Sequence, residues 1–416
     1  ADSSRECLER IELPLIPVLL QMERLGVNLD AGVLKELSNS FADTIKRLHE
    51  QIIEAAGEKF NPDSPKQLGA ILFEKFKLPV GKKTRTGYST DAATLAELTK
   101  LHPLPTLMIE YRELTKLKST YLDALPRLVA GDGHIHTTFN QTVTATGRLS
   151  SSDPNLQNIP VRSELGRQIR AAFIPDARAF FDGGEEALLL SADYSQIELR
   201  LLAHLSEDIG LMAAFRDGQD FHSATAAQVF GVSLEEVTPQ LRSRAKAVNF
   251  GIVYGQQAYG LSQSLGIPYR EADEMIERYF AVYPRVRAFL DELIAQAYEY
   301  GWVETMFGRK RHIHELKSNN PNLRGFGERT AMNHPLQGSA ADIIKLAMIE
   351  VQRRLDLEGY ASQMILQVHD ELVFNCVAPE VERLSAMVAE VMEHVVELRV
   401  PVLVDIGIGA NWSLAH

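Results

Sequence analysis

Two strand-like regions that lie far apart in the sequence constrain the fold of this chain more than any other feature. Residues 187–193 form an apolar run that is typical of a buried strand, and a helical pattern over about 196–206 follows at once. Residues 364–368 and 372–377 are two further strand-like runs, and the short polar link between them predicts a hairpin. Residues 208–300 are nearly all helical in pattern, so one sheet should bracket a helical insertion. The predicted fold class is α+β with a small antiparallel sheet.

The residue pattern divides the rest of the chain into helical, turn-rich and strand-like stretches. Apolar residues recur at helical spacing, or nearly so, in residues 5–58, 66–76, about 91–128, 339–358 and 380–397. Turn and loop signals occur at residues 61–65 and in the polar, glycine-bearing stretch 81–90. Short strands and loops are expected between residues 131 and 175, and a last strand at 400–408.

Two aspartates stand where the predicted strands end. Asp193 closes the apolar run, and Asp370 lies at the tip of the hairpin beside Glu371. The apolar alternation in residues 364–368 is expected to bury one face of its strand, fix the register and present Asp370 at the edge of the sheet. Magnesium takes oxygen ligands, and carboxylates on neighbouring strands could hold two ions about 3.5–4 Å apart. Taken singly, each aspartate could equally cap a turn.

Residues 242–255 carry cations and aromatic residues at a fixed spacing. Two cations and two aromatic residues recur every four positions and so share one face of a helix: Arg242, Lys246, Phe250 and Tyr254. Cations can contact a triphosphate, and an aromatic ring can support a sugar and base. Gly251 and Gly255 weaken the helix end and are expected to allow the close approach of a substrate. The sequence has no Walker-type loop, so side chains and metal would hold the phosphates.

The charge balance does not exclude nucleic acid as a partner. The net charge is −12, but binding depends on local patches, and basic clusters occur at residues 82–85, 162–170, 242–246 and 309–312. The 2 cysteines, Cys7 and Cys376, form neither a disulfide framework nor a zinc pattern, which predicts a reducing compartment. No apolar run reaches the ~18 residues that span a membrane, and the first residues do not resemble a signal peptide. We therefore expect a cytoplasmic protein.

The three segments around Asp193, residues 242–255 and Asp370 resemble motifs A, B and C of the A-family DNA polymerases, the bacterial DNA polymerase I group. The likeness extends to Thr-Ala-Thr-Gly-Arg148-Leu-Ser-Ser and to Asp-Pro-Asn-Leu-Gln-Asn-Ile-Pro-Val-Arg162. It continues at Asn333-His-Pro-Leu-Gln337-Gly-Ser-Ala-Ala-Asp. The resemblance covers essentially the whole chain, which corresponds in length to a Klenow-like polymerase domain without exonuclease domains.

The resemblance implies a right-hand polymerase with a small antiparallel palm sheet and mainly helical thumb and fingers. Residues 1–130 would form the thumb with a helical base, 131–206 and 331–416 the palm, and 207–330 the fingers. The implied activity is template-directed DNA synthesis from dNTPs on a primer 3′-hydroxyl, by two-metal-ion nucleotidyl transfer with release of pyrophosphate. The implied role is replication gap-filling and repair in a bacterial cytoplasm, in association with the nucleoid.

The resemblance also implies roles for single residues. Two Mg²⁺ ions, or Mn²⁺ as a substitute, would be held by Asp193, Asp370 and the carbonyl of Tyr194. Glu371 and Lys246 would assist catalysis. Glu198 would crowd the sugar 2′ position. The incoming nucleotide would contact Arg242, Lys246, His222, Phe250, Tyr254, Gln196 and Glu198. The primer–template duplex would contact Arg148, Arg162, Arg329, Asn333, Gln337, His369 and, through its phosphates, Lys82, Lys83 and Arg85.

The sequence also allows two other functions. We expect a monomer. We also expect no proofreading, because the chain begins at the region that resembles the thumb. A two-metal nuclease is the alternative enzyme, since paired carboxylates also hydrolyse phosphodiesters. A non-catalytic DNA-binding module is the third alternative. The cation and aromatic stripe argues against the nuclease, and the presence of Asp193, Asp370 and Lys246 argues against the inert module. The motifs do not decide whether reverse transcription or lesion bypass are side activities.

Overall fold

The computed structural model describes residues 3–81, 83–84, 87–161, 163–177, 186–216, 218 and 220–416, with the backbone alone at residues 83 and 84. The α-helices are α1 (Ser3–Cys7), α2 (Leu13–Leu25), α3 (Ala31–Ala56), α4 (Pro65–Gly69), α5 (Ala92–Leu98), α6 (Pro103–Leu117), α7 (Leu125–Leu128), α8 (Glu164–Arg170), α9 (Ile197–Ser206), α10 (Ile209–Arg216), α11 (Phe221–Phe230), α12 (Pro239–Val253), α13 (Ala258–Leu265), α14 (Tyr269–Val282), α15 (Pro284–Tyr300), α16 (Pro321–Leu357) and α17 (Val381–His394). π-Helical turns cover Leu8–Glu12, Ala70–Lys75 and Lys118–Leu122, and 3₁₀ turns cover Leu234–Glu236, His314–Lys317 and Ala378–Glu380.

The strands are short and antiparallel wherever they pair in hairpins or in the main sheet. They are β1 (Val27–Asn28), β2 (Lys83–Thr84), β3 (Gly87–Tyr88), β4 (His134–Ile135), β5 (Thr138–Asn140), β6 (Ser150–Ser152), β7 (Ala187–Tyr194), β8 (Trp302–Glu304), β9 (Lys310–His312), β10 (Gln363–Val368), β11 (Glu371–Val377) and β12 (Val404–Gly409). The expected α+β class is confirmed, as are the strand before Asp193, the hairpin around Asp370 and the helical block between them.

The main sheet has four strands in the order β10–β11–β7–β12, and every neighbouring pair is antiparallel. The predicted burial of Met364, Leu366 and Val368 on β10 is confirmed, and Ile365 and Gln367 between them are buried as well. The reason is that packing covers both faces of this strand, with α2 against β10. The pairing of β10 with β11 is irregular between Met364 and Leu366, so the register shifts at that point. At the other end of the strand order, α17 packs against β7 and β12.

Several element bounds differ from the sequence predictions for local reasons. The helical pattern at 5–58 is interrupted, because Gly26 adopts a left-handed φ of 67° and Asp30 then caps a new helix, α3. The loop at 81–90 contains the hairpin β2–β3, and the turn-rich stretch 131–175 contains α8. The helix predicted at 339–358 is the second half of α16, which spans 37 residues and includes Pro335.

Contacts divide the chain into two compact units. The larger unit comprises residues up to Val27, His136–Asn158 and Pro175–His416, and it contains the main sheet. The smaller unit comprises Asn28–Ile135 and Ile159–Ile174, and α3 packs against α6 within it. The division into thumb, palm and fingers stays a prediction. In the described parts of the chain, none of the helices combines the length and the apolar character that a membrane span requires.

Candidate active site

The turn from β7 into α9 positions Asp193. Leu189, Leu190 and Ala192 are buried and hold β7 in the sheet, and Asp193 is the partly exposed residue near its end. Gln196 begins α9 from a left-handed backbone, with φ 55° and ψ 41°, which is uncommon for a residue with a Cβ. The turn is tied down by Arg200, whose guanidinium donates to the carbonyls of Ser195 (2.8 Å) and Pro401.

The β10–β11 turn positions Asp370. His369 has a φ of 53°, in the left-handed region that tight hairpin turns require. Val368 and Glu371 are register partners on either side, so the link contains two residues. The carbonyl of Asp370 accepts a hydrogen bond from the backbone N–H of Tyr194 at 3.1 Å. The two aspartates therefore stand on neighbouring strands, at the same end of the sheet.

Electrostatics in this corner favour a bound cation. Burial, followed by repulsion from Asp370 and Glu371, raises the pKa of Asp193 from 3.8 to about 7. A divalent cation between the carboxylates would remove that repulsion, and carboxylate oxygens are the ligands that Mg²⁺ prefers. In the described residues, no group of three or more His, Cys, Asp or Glu side chains is arranged to hold a metal ion. Two carboxylates at one end of the sheet fit an ion that takes one or two carboxylates and completes its shell with substrate oxygens.

Glu371 is buried, although it is the next residue after Asp370. It is 3% exposed, and its Oε1 accepts hydrogen bonds from the Ser191 hydroxyl (2.7 Å) and the Trp412 indole N–H (2.9 Å). Glu371 is the first residue of β11, an inner strand of the sheet, whereas Asp370 lies in the turn before that strand. Asp370 and Glu371 thus face different surroundings, and the accessory role of Glu371 stays a prediction.

Arg148 joins the aspartate site to Glu198. Its Nη2 lies 2.7 Å from Glu198 Oε1 and 3.4 Å from Asp370 Oδ1. Glu198 is buried in the first turn of α9, and burial raises the pKa of its carboxyl although Arg148 opposes that effect. The Tyr254 hydroxyl faces the same carboxyl, and burial together with Glu198 raises its pKa to about 12. Arg148 thus connects Asp370 to Glu198, and α9, which carries Glu198, packs against α12.

The predicted stripe lies on α12. The helix covers Arg242, Lys246 and Phe250, and Tyr254 is the residue immediately after its end. Arg242 is paired with Asp220 through Nε–Oδ1 (2.9 Å) and Nη2–Oδ2 (2.8 Å) bonds. Asp220 also caps α11 by accepting a hydrogen bond from the Ser223 N–H. Neither the cap nor the pairing with Arg242 was predicted from the sequence.

Aromatic rings continue along the same face. Phe250 lies 5.7 Å from His222 and 6.4 Å from Tyr254, measured between ring centroids, and the last pair is stacked. His222 is buried, and its Nδ1 is 3.0 Å from the Asn249 side-chain nitrogen. Burial, with smaller contributions from Lys246 and Arg242, lowers the pKa of His222 to about 4. The ring is therefore neutral at pH 7. Asn249 was not singled out in the sequence, because only the fold reveals its contact with His222.

The predicted duplex residues on α16 recur every four positions, at Arg329, Asn333 and Gln337. The Asn333 amide donates to the carbonyl of Val253 at 3.3 Å. Gly255 adopts a φ of 65°, and a Cβ there would lie 2.8 Å from Met332 Cε and 3.1 Å from Arg329 Cγ. The absence of a side chain at Gly255 lets α16 pack close to this residue, and the expected approach of a substrate there stays a prediction.

Arg148 and His369, which are also predicted to contact the duplex, border one small cavity of about 20 Å³ with Lys345 and Ala341. Lys82, Arg85 and Arg162 lie outside the described residues, as does the side chain of Lys83. The structure thus brings together the predicted metal ligands, Glu198, Arg148 and the α12 stripe, while the roles assigned to them stay predictions.

The sequence and the fold are similar to those of known polymerases. The family described as DNA polymerase family A matches residues 31–414. The chain is 51% identical over 405 residues to DNA polymerase I of Caldicellulosiruptor bescii, covering 97% of this chain and 47% of that protein. It is 49% identical over 408 residues to DNA polymerase I of Bacillus subtilis, covering 98% and 46%. The chain thus spans about half the length of these relatives.

A solved structure supports the same assignment. The POL domain of Pol1 from M. smegmatis, in complex with DNA primer-template and dNTP, superposes with a TM-score of 0.92 at 46% identity, covering 98% of this chain and 70% of that one. This match bears out the expected α+β polymerase fold. The matched residues of the family include the β7 and β10–β11 carboxylates and the α12 stripe. This chain belongs to the A family of DNA polymerases.

Proposed function

We propose that this chain is a DNA-directed DNA polymerase that extends a primer 3′-hydroxyl with dNTPs. Family membership supports the reaction class, and the M. smegmatis POL domain, described with DNA primer-template and dNTP, supports the substrates. One observation carries the proposal. Arg148 connects Asp370 to Glu198 on α9, and α9 packs against α12, so the carboxylate pair and the α12 stripe adjoin each other. A hydrolytic site would need the carboxylates but would have no use for that stripe.

The carboxylates fit the metal that this chemistry requires. Asp193, Asp370 and the carbonyl of Tyr194 would hold Mg²⁺, because the raised pKa of Asp193 reflects a surplus of negative charge at this corner. When bound, two such ions would activate the attacking hydroxyl and stabilise the leaving pyrophosphate. Glu371, held in place by Ser191 and Trp412, would add a fixed negative charge behind them.

The α12 side chains would bind the nucleotide. Lys246 and Arg242 would contact the triphosphate, and Arg242 would first exchange its Asp220 partner for phosphate oxygens. Phe250, stacked with Tyr254, would support the sugar and base. Gln196 Oε1 is buried and has no hydrogen-bond partner among the described residues, so it is available to a ligand group.

Glu198 would set the sugar selectivity. Its carboxyl is buried between Arg148 and Tyr254, and bulk at this point would exclude a ribose 2′-hydroxyl. Arg148, Gln337 and His369 would meet the minor groove near the primer terminus. Minor-groove acceptors are similar in every correct pair, so a donor there tests the shape of a pair without reading its sequence.

The cellular role follows from the relatives as a further part of the proposal. Their identification as DNA polymerase I supports gap-filling in replication and repair. We also propose that the chain acts as a monomer on one duplex in a bacterial cytoplasm, associated with the nucleoid. Size-exclusion chromatography with and without a hairpin primer–template tests this stoichiometry, and a complex with two polypeptides per hairpin would contradict it.

Primer extension with each dNTP supplied alone tests the activity. We expect one addition with the dNTP that is complementary to the template base, and none without Mg²⁺. Asp193→Asn or Asp370→Asn should lower the rate by orders of magnitude while duplex binding persists. Asp405→Asn is the matched control, since Asp405 is the register partner of Asp193 on β12 but is exposed. Shortening of the primer without extension would favour the nuclease alternative.

A further inference from the structure

The loop that carries Arg148 rests on a second arginine. Gly147 adopts a φ of 82°, and a Cβ there would lie 2.5 Å from Arg309 Nε, 2.6 Å from its Cδ and 2.9 Å from its Cζ. The guanidinium of Arg309 therefore lies against the backbone of Gly147, at a distance that only glycine permits. Arg309 belongs to the basic cluster at residues 309–312, but it is largely buried, with 17% of its side chain exposed.

Arg309 is fixed by a buried group of charges from three parts of the chain. Its Nε and Nη2 donate to Asp342 Oδ1 at 2.9 and 2.6 Å, and Nη2 also donates to Glu12. Lys345 Nζ donates to Glu12 at 2.7 Å. Asp342 and Lys345 have no exposed side-chain surface. Two cations and two anions balance, so the group can stay buried without an unpaired charge.

Further bonds set the orientation of this group. The Thr305 hydroxyl donates to the second oxygen of Asp342 at 2.7 Å. The side-chain amide of Gln141 donates to Glu12 Oε2 at 2.6 Å. Each carboxylate therefore has bonds on both of its oxygens, which leaves the plane of Arg309 little freedom to turn.

The loop itself is held to the same layer at other points. The Thr144 hydroxyl donates to the carbonyl of Arg148 at 2.5 Å. A Cβ at Gly338 on α16 would lie 3.2 Å from the carbonyl of Thr146. The loop therefore has tight contacts on either side of Gly147, and Arg309 supports it at its centre. The Arg148 side chain extends from this loop to Glu198 and Asp370.

We propose that Arg309 is a positioning residue for Arg148, acting through its contact with Gly147, with Asp342 and Glu12 holding its guanidinium plane in place. It touches neither primer, template nor nucleotide in this proposal. By holding the backbone at Gly147, Arg309 fixes the position from which the Arg148 side chain extends towards Asp193 and Asp370. This inference rests on the proposed function, because Arg148 matters only if the chain extends primers.

A double-mutant cycle tests the proposal with wild type, Arg309→Lys, Arg148→Ala and the double variant. Lysine keeps the charge beside Asp342 but lacks the flat group that supports Gly147. The measurement is single-turnover incorporation of one correct nucleotide. We expect Arg309→Lys to lower the efficiency about 10- to 100-fold in the wild-type background. With Arg148→Ala present, it should lower the efficiency less than about twofold, because residues acting through one group are not additive.

Several controls keep the outcomes distinct. Extension by the wild type tests the proposed function separately from the cycle. Arg354→Lys alters an ion-paired arginine of α16, which contacts Glu358 and Glu390, and should leave the incorporation rates in both backgrounds unchanged. Where circular dichroism shows that Arg309→Lys is unfolded at the assay temperature, Asp342→Asn replaces it. An equal loss in both backgrounds, or no loss with wild-type Arg148, would overturn the proposal.

Discussion

Arg148 and Glu198 form a 2.7 Å ion pair in which the arginine side chain is one quarter exposed and the glutamate side chain is 6% exposed. The family resemblance assigns the first residue to the duplex and the second to the nucleotide sugar. Because the two side chains form an ion pair, the duplex contact of Arg148 and the sugar contact of Glu198 depend on each other. Any duplex group that draws Arg148 away also removes the counter-charge of a buried carboxylate.

Removal of Glu198 should therefore have two separable effects. Glu198→Ala opens space beside Tyr254, so we expect discrimination against ribonucleotides to fall by about 10- to 200-fold, the range typical of small pocket changes. The same change leaves Arg148 with Asp370 as its remaining acidic contact, so correct incorporation should also slow. Competing incorporation of rNTP and dNTP opposite one template base measures both effects.

Glu198→Gln separates bulk from charge in this prediction. The amide keeps the volume of the side chain and removes its charge, so ribonucleotide discrimination should persist while the ion pair with Arg148 is lost. Equal relaxation of discrimination in the two variants would show that charge, and not bulk, excludes the ribose.

Asp220 should restrain nucleotide binding through Arg242. The hydrogen bonds from Arg242 and Ser223 hold the pKa of Asp220 well below its usual range, so the carboxylate is charged at every working pH. Asp220→Asn keeps the cap of α11 but removes the charge that competes with a triphosphate. Both side chains are more than 40% exposed, so the expected fall in KM for dNTP is modest, about twofold to fivefold.

A helix-cap control accompanies this measurement. Asp220→Ala removes the cap as well as the charge, and should lower the free energy of unfolding by about 1 kcal/mol. Urea denaturation of the two variants separates the effects. A rise in KM for Asp220→Asn would contradict the idea that Arg242 is held back by this partner.

A side chain at Gly255 should destabilise the protein, because α16 lies close to this residue. Gly255→Ala combines a left-handed backbone with contacts of 2.8 and 3.1 Å to Met332 and Arg329. Gly266 is a matched control, since its φ is 64° and nothing lies within 4 Å of an added Cβ. We expect a loss of about 1 kcal/mol for Gly266→Ala and a further loss of about 1–3 kcal/mol for Gly255→Ala. Equal urea midpoints for the two variants would contradict this.

Protein stability should decrease in mild acid. His334 is fully buried on α16, and burial, with contributions from Arg311 and Arg309, lowers its pKa from 6.5 to about 4. The unfolded chain therefore binds more protons between these values, so the stabilisation is complete above pH 6.5 and declines as pH falls towards 4. At pH 5 the loss from this residue should be about 2 kcal/mol.

A leucine substitution isolates that contribution. His334→Leu should flatten the decrease in stability between pH 7 and pH 5, as measured by urea denaturation. The exposed His314→Leu is the control and should keep the wild-type slope. An unchanged slope for His334→Leu would mean that other groups cause the acid sensitivity, including the buried His222.

The local part of this architecture was predictable from the sequence. The apolar run of β7, the two runs around Asp370 and the four-residue spacing on α12 each depend on neighbouring residues, and each predicted its element correctly. Family motifs then singled out Arg148 and Glu198. Their partnership was not predictable, because the two residues are 50 positions apart and meet only when the β7–α9 turn lies next to the 144–149 loop.

The features that were not predicted have a common physical cause. Periodicity reports which residues avoid water, but not what covers them. Burial of β10 on both faces and of Glu371 under Trp412 depends on elements from other parts of the chain. The charges of Arg309, Lys345 and Glu12 look like surface residues in the sequence, and their pairing in the interior follows from tertiary contacts alone.

The position of β7 in the sheet also determines when this protein becomes competent during its synthesis. Both neighbours of β7, namely β11 and β12, come from the far side of the helical insertion. Pairing over so great a separation is entropically slow, and translation proceeds at about 5–20 residues per second. A nascent chain that carries Asp193 must therefore wait many seconds for Asp370 to leave the ribosome, and until then it has no assembled site with which to act on DNA.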